Sequence, residues 1–186
     1  MRPSFERAYL RELLIQAEYA LLGVQRMNEL LQQDAPVLFF REAQGVLSHA
    51  AAISRLLWPP RNKDERARTR GEHLRSVLQV PDDHALQART LRDHLEHFDE
   101  RLDQWTQETT HGTIVDLCIG PASSFVGGAS VGRGDFLRVY EPDRNVFTFR
   151  GDEFNIQELV TGIESLRGAA VERMGHLRAG GCPTGR

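Results

Sequence analysis

Two apolar stripes at helical spacing constrain this chain more than any other feature. Leu10, Leu13, Leu14, Ala17, Leu21, Val24, Met27 and Leu31 recur every three or four residues, and so do Phe39, Ala43, Val46, Leu47, Ala50, Ile53 and Leu57. That spacing gathers the apolar side chains on one face of an α-helix, and such a face must be covered by another element. Two long helices are therefore predicted, the first capped by Ser4 and the second opened by Asp34 and Pro36. Trp58-Pro59-Pro60 ends the second, because a residue before proline is pushed out of the helical region. A polar stretch over 61–69 and a shorter helix around 71–79 follow. Pro81-Asp82-Asp83 then restarts the chain into a long fourth helix with the stripe Leu91, Leu95, Phe98, Leu102 and Trp105.

The pattern changes after His111-Gly112. Residues 113–119 read as a strand, and 120–134 as a glycine- and serine-rich loop. Residues 136–141 and 146–150 read as a β-hairpin turned by Pro142-Asp143-Arg144-Asn145. Asp152 or Asn155 caps a last helix whose apolar face is Ile156, Leu159, Val160, Ile163, Leu166, Ala170, Val171 and Met174. The expected architecture is mainly α. It is an antiparallel four- to five-helix bundle in one domain over 1–178, with a small antiparallel β insertion at about 113–151 before the last helix. Residues 179–186 are expected to form a flexible tail.

Composition narrows the function. The chain has 186 residues, and its 26 Asp and Glu against 23 Lys and Arg give a net charge of −3. That balance argues against a protein that coats nucleic acid by bulk charge. Cys118 and Cys182 show no CxxC or zinc spacing, which points to a reducing, cytoplasmic compartment. The charged N-terminus does not read as a signal peptide, and no apolar run is clean enough to span a membrane. Metal sites are poorly served. His94-x-x-His97 and Glu108-x-x-His111 occur without HExxH or the paired Glu-x-x-His motifs of a di-iron bundle, so no metal or other cofactor is expected. The glycines at 127–134 lack the Lys-Ser/Thr of a phosphate loop, and there is no G-x-S-x-G.

The densest set of reactive side chains is on the fourth helix: Arg92, Asp93, His94, Glu96 and His97, with Arg89, Asp99, Glu100 and Arg101 around them. Asp93 precedes His97 by one turn, so its carboxylate can orient the imidazole. Arg92 and His97 fall about 140° apart on the helix wheel, so one helix alone does not aim both at one atom. A second copy packed across a two-fold axis can. Arg92-Asp93-His94-Leu95-Glu96-His97 resembles the R-x4-6-H motif of the HEPN superfamily, in the form R-[N/D]-x-x-x-H. The resemblance covers roughly 4–108 and 153–176. It implies a homodimer with both motifs facing one cleft and, in active members, metal-independent RNA cleavage of a toxin or defence type with an antitoxin partner. It assigns Arg92 and His97 the catalytic roles, with Asp93, His94 and Glu96 in support. The β insertion has no counterpart in that family's common core.

Charge pulls both ways. Residues 82–108 carry eight acidic side chains and three arginines, a net of −5 that repels RNA. Residues 61–75 carry a net of +3, which makes Arg66, Arg68, Arg70 and Arg75 the candidate RNA contacts. On the second helix His49 is a further supporting candidate, expected to point at the fourth helix. His73, His84, His111 and His176 stand without a supporting constellation. Two functions therefore stay open: an endoribonuclease, or a non-catalytic dimeric binding or regulatory module of the same fold, for which the motif helix is an ordinary solvated or interfacial face.

Overall fold

The computed structural model describes residues 1–60, 64–93, 98–108, 115–125 and 135–179. It is mainly helical and carries a small four-stranded mixed sheet. Helix α1 (Pro3–Leu30) and helix α2 (Pro36–Leu57) both begin with proline in the first turn, where its fixed φ fits and its missing N–H costs nothing. Neither has a side-chain cap. Arg2 and Ala35 occupy the cap positions, so Ser4 lies inside α1 and Asp34 lies outside α2.

The packing of α1 on α2 is the largest contact in the structure. All seven residues of the second stripe are fully buried. On α1 burial centres on Leu10, Leu13, Ala17, Ala20, Met27 and Leu30, while Leu14, Leu21, Val24 and Leu31 are partly covered. The stripe is broader than the spacing alone implies because α1 also packs against α6 (Ile156–Ala179).

Helix α3 (Glu65–Val77) starts earlier than the sequence suggests. The Asp64 carboxylate accepts the Ala67 N–H at 2.9 Å and caps the helix, so much of the basic stretch read as loop is helical. A Cβ on Gly71 would stand 2.6 Å from the Leu57 carbonyl oxygen and 2.8 Å from Pro59 Cδ. Glycine is what lets α3 cross the end of α2 so closely.

The expected fourth helix does not begin at Pro81. A 3₁₀ turn over Ala85–Gln87 comes first, and Ala88, with ψ 125°, separates it from α4 (Arg89–Asp93). Helix α5 spans Phe98–Glu108 and buries Trp105, with Leu102 partly covered.

The hairpin forms as expected from β2 (Arg138–Glu141) and β3 (Val146–Phe149), paired antiparallel with Glu141 opposite Val146. The turn Pro142–Arg144 is 3₁₀, and Asn145 closes it at φ 52°, a left-handed conformation asparagine tolerates. The sheet departs from the expectation in one pairing direction and in one added strand. Strand β1 (Cys118–Ile119) runs parallel to β2, and β4 (Asp152–Asn155) adds antiparallel to β3. The strand expected over 113–119 is reduced at its described end to two residues plus a bridge from Val115 to Phe136, because Leu117 takes φ 56°. Asn155, not Asp152, caps α6: its Oδ1 accepts the Glu158 N–H at 3.1 Å. The sheet docks on the start of α2, where Phe39 meets Tyr140 at 4.8 Å and Phe40 meets Phe147 at 5.9 Å between ring centroids. The glycine-rich segment 126–134 and the tail beyond 179 lie outside the described residues. Among the described residues no helix is long and apolar enough to cross a membrane.

The Gly71 contact is testable by urea denaturation. Gly71→Ala forces a methyl group against backbone and is expected to destabilise the chain by about 1–3 kcal/mol, despite alanine's better helix propensity. A stabilised variant would show that α3 is free to move off α2.

Candidate functional site

The residues of the motif divide. Arg92 and Asp93 lie on α4, so their backbone is placed. His94, Glu96 and His97 lie outside the described residues. The approach to the motif is well anchored. Leu86 and Leu91 are buried in the main core, and α4 packs on α2. The Ser54 hydroxyl of α2 donates to the Leu86 carbonyl, which pins the turn before α4 to the middle of the fold.

His84 shapes the same approach, although it shows no partner in sequence. Its Nδ1 accepts the Leu86 N–H at 3.2 Å, and its ring lies 5.7 Å from that of Trp58. It faces Gly162 of α6, where a Cβ would come within 2.9 Å of His84 Cε1. Its Nε2 is buried without a hydrogen-bond partner. Burial holds the imidazole below its ordinary pKa, with the Gly162 backbone and Asp83 acting weakly in the opposite direction.

The basic helix α3 is less available to RNA than its charge suggests. Arg70 donates from Nε to the Leu56 carbonyl at 3.3 Å and from a terminal nitrogen to the Arg55 carbonyl at 3.1 Å, and it lies 5.5 Å over the Tyr9 ring. Arg75 donates to the Leu57 carbonyl and lies 5.9 Å over the Trp58 ring. Helix α2 stops at the prolines with its last carbonyls unpaired, and these two guanidinium groups satisfy them. Arg66 and Arg68 are exposed. Only this second pair is free of a structural task in capping α2.

His49 corrects another expectation. It faces α1, not α4. Its Nδ1 lies 2.7 Å from Gln16 Oε1, and its ring is 5.2 Å from that of Tyr19. It lines a groove of about 380 Å³ between α1 and α2 together with Tyr19, Leu22, Gly23, Arg26, Glu42 and Gly45. Burial lowers its pKa, so the ring is neutral at pH 7.

Sequence reasoning missed a three-helix cluster around Glu6. This carboxylate, on α1, is only 4% exposed. It receives Arg173 Nε of α6 at 2.6 Å and lies 2.8 Å from His73 Nε2 of α3. Burial alone would raise its pKa, but the hydrogen bonds and charges of Arg173 and His73 outweigh this and hold it below the ordinary carboxylate value. The partners are 67 and 167 residues away in sequence, so no local pattern signals them. On β1, Cys118 is partly buried, and burial beside Asp116 pushes its thiol up in pKa, away from a thiolate nucleophile. Among the described residues no group of three or more His, Cys, Asp or Glu is placed to hold a metal ion.

No family model, curated protein or solved structure matches the chain.

These burials set an acid response. His49 and His84 refuse protons that the unfolded chain accepts below about pH 6.5, so stability is lost as pH falls through that value. Glu6 stabilises the fold above about pH 4.5 and loses that contribution as it protonates below it. Urea midpoints measured against pH are expected to fall in two stages, and Glu6→Gln is expected to remove the lower one. A Glu6→Gln profile parallel to wild type would exclude the ion cluster as the source.

Proposed function

We propose that the chain is a HEPN-like, metal-independent endoribonuclease of the cytoplasm, acting as a homodimer on an antiparallel helical bundle. Its active site combines Arg92 and His97 from two copies. The reading rests on one observation: an arginine followed five residues later by a histidine, with aspartate in the second position, in a mainly helical chain. Placement of the Arg92 backbone on α4, which packs on α2, is compatible with that reading.

The chemistry needs no metal. A neutral His97 takes the proton of an RNA 2′-hydroxyl as that oxygen attacks the adjacent phosphorus. The new 2′-O–P bond forms as the P–O5′ bond breaks, leaving a 2′,3′-cyclic phosphate and a 5′-hydroxyl. The leaving oxygen takes the proton that His97 has accepted, so one histidine serves first as base and then as acid. Arg92, permanently charged and planar, stabilises the extra negative charge on the phosphoryl oxygens. Asp93 orients His97, and Arg66 and Arg68 guide the strand. A toxin or defence role with an antitoxin partner belongs to this reading.

A second reading has its own support. The net charge of −5 over 82–108, and the use of Arg70 and Arg75 in capping α2, leave little positive surface for RNA. They favour a non-catalytic dimeric module of the same fold.

RNA cleavage in EDTA separates the two. Wild type is expected to cut RNA, while Arg92→Ala and His97→Ala are expected to lose at least about a hundredfold, the contribution of one general acid–base or charge-stabilising group. Arg66→Ala and Arg68→Ala are expected to weaken RNA binding and lower its salt dependence without changing stability. Intact RNA with wild type, in its folded dimeric form, would favour the binding module.

A further inference from the structure

The groove between α1 and α2 holds a histidine whose protonation is fixed by its neighbours. Gln16 donates from Nε2 to the Glu12 carboxylate at 2.7 Å, and an ionised carboxylate can only accept. The Gln16 amide is thereby oriented with Oε1 toward His49 Nδ1, at 2.7 Å. Oε1 has no proton to give, so Nδ1 carries the hydrogen and Nε2 keeps the lone pair. Nε2 makes no hydrogen bond among the described residues, and the ring that bears it lines the groove. The relay Glu12–Gln16–His49 thus presents a hydrogen-bond acceptor in a groove of about 380 Å³, within the range of small-molecule sites, roughly 300–1,000 Å³.

Three neighbours define what such an acceptor can receive. Tyr19 is 52% exposed, and its ring is inclined 57° to the His49 ring. A flat ligand stacked on Tyr19 is therefore inclined by the same angle to the imidazole. Arg26 lines the same groove. Its bond to Glu29 is an exposed pair of the kind that contributes little, so its guanidinium can be redirected to an anion. Gly45 lies inside α2, where glycine costs about 1 kcal/mol relative to alanine. A Cβ there would meet nothing within 4 Å, so no close packing contact requires it. Gly168 and Gly175 on α6 are equally open, but neither lines this groove. At 45, a side chain would enter the groove, and glycine keeps the space clear.

We propose that this groove binds a nucleobase carrying a phosphate: the base stacks on Tyr19, donates an N–H to His49 Nε2 and places its phosphate near Arg26. The base can belong to a free nucleotide or to a single-stranded RNA. The inference rests on the groove alone and does not depend on Arg92, His97 or RNA cleavage.

NMR of the full chain, observing the His49 and Tyr19 ring signals, tests it. The probes are the four nucleoside 5′-monophosphates, a single-stranded RNA hexamer, and ribose 5-phosphate as the control without a base. Saturable shifts of both rings with a base-bearing probe, absent with ribose 5-phosphate, are expected. A response to the monophosphates identifies a free-nucleotide site, and a response to the hexamer alone identifies an RNA-strand site. Tyr19→Ala is expected to weaken binding roughly tenfold by removing the stack. Gly45→Leu is expected to abolish binding while the chain stays folded, because its Cβ meets no neighbour. No saturable shift with any base-bearing probe overturns the proposal, and so does unchanged binding by Gly45→Leu. A Gly45→Leu variant that changes the oligomeric mass, with wild type deaf to every probe, would show instead that the groove is an interface between copies.

Discussion

The seam between α1 and α2 is the contact on which the other elements depend. Leu10, Leu13, Ala17 and Ala20 on one helix, and Phe39, Phe40, Ala43, Val46, Leu47 and Ala50 on the other, are essentially excluded from water. Each large side chain of this kind contributes about 1.5–3 kcal/mol when buried, so the seam outweighs any polar contact in the molecule. Approach is close enough that a Cβ on Gly23 would stand 2.9 Å from Val46 Cγ2. Helix α6 lies on α1, the sheet docks on Phe39 and Phe40, and α4 lies on α2. Both candidate sites inherit their position from it. His49 and Ser54 are five residues apart on α2, about 140° around its axis. One faces α1 and the groove, and the other holds the turn that leads to Arg92.

The end of α2 is a second organising point, and its cause is electrostatic. Trp58-Pro59 stops the helix and leaves carbonyls that need donors. Arg70 and Arg75 provide them, Gly71 makes room, and the Trp58 ring lies against both Arg75 and His84. Charge that looks available for nucleic acid in a linear sequence is thus partly committed to finishing a helix. Glu6 does comparable work at His73, in the same part of α3. It joins α1, α3 and α6 through one carboxylate, and its loss on protonation ties the packing of α3 to pH.

What the sequence made legible was local. The stripes of α1, α2 and α6 (Val171, 57% exposed, excepted), the stop at the prolines and the β2–β3 hairpin all follow from spacing and turn residues. Strand β4 was hidden because Asp152, Glu153 and Asn155 are polar and only Phe154 is buried, so no alternation stands out. The parallel pairing of β1 with β2 is a tertiary event across some twenty residues, and its two-residue length leaves no periodic signal. The late start of the fourth helix is hidden because the break at Ala88 involves a residue with high helix propensity. Of the candidate site, the Arg92–His97 spacing could be read directly. The roles of His73, His84, Arg70 and Arg75 could not, because each partner lies on another element. The orientation of His49 could not either, since it depends on Gln16, 33 residues away.

In the proposed endoribonuclease, one catalytic centre is completed by two copies of the chain. Mixing Arg92→Ala protein with His97→Ala protein, after each is shown to be inactive and folded, tests this most directly. In a mixed dimer one chain supplies an intact His97 and the other an intact Arg92. RNA cleavage in EDTA is expected to reappear on mixing and to rise with the fraction of mixed dimers. A mixture as inactive as its parents, with mixed dimers present in the sample, would contradict it.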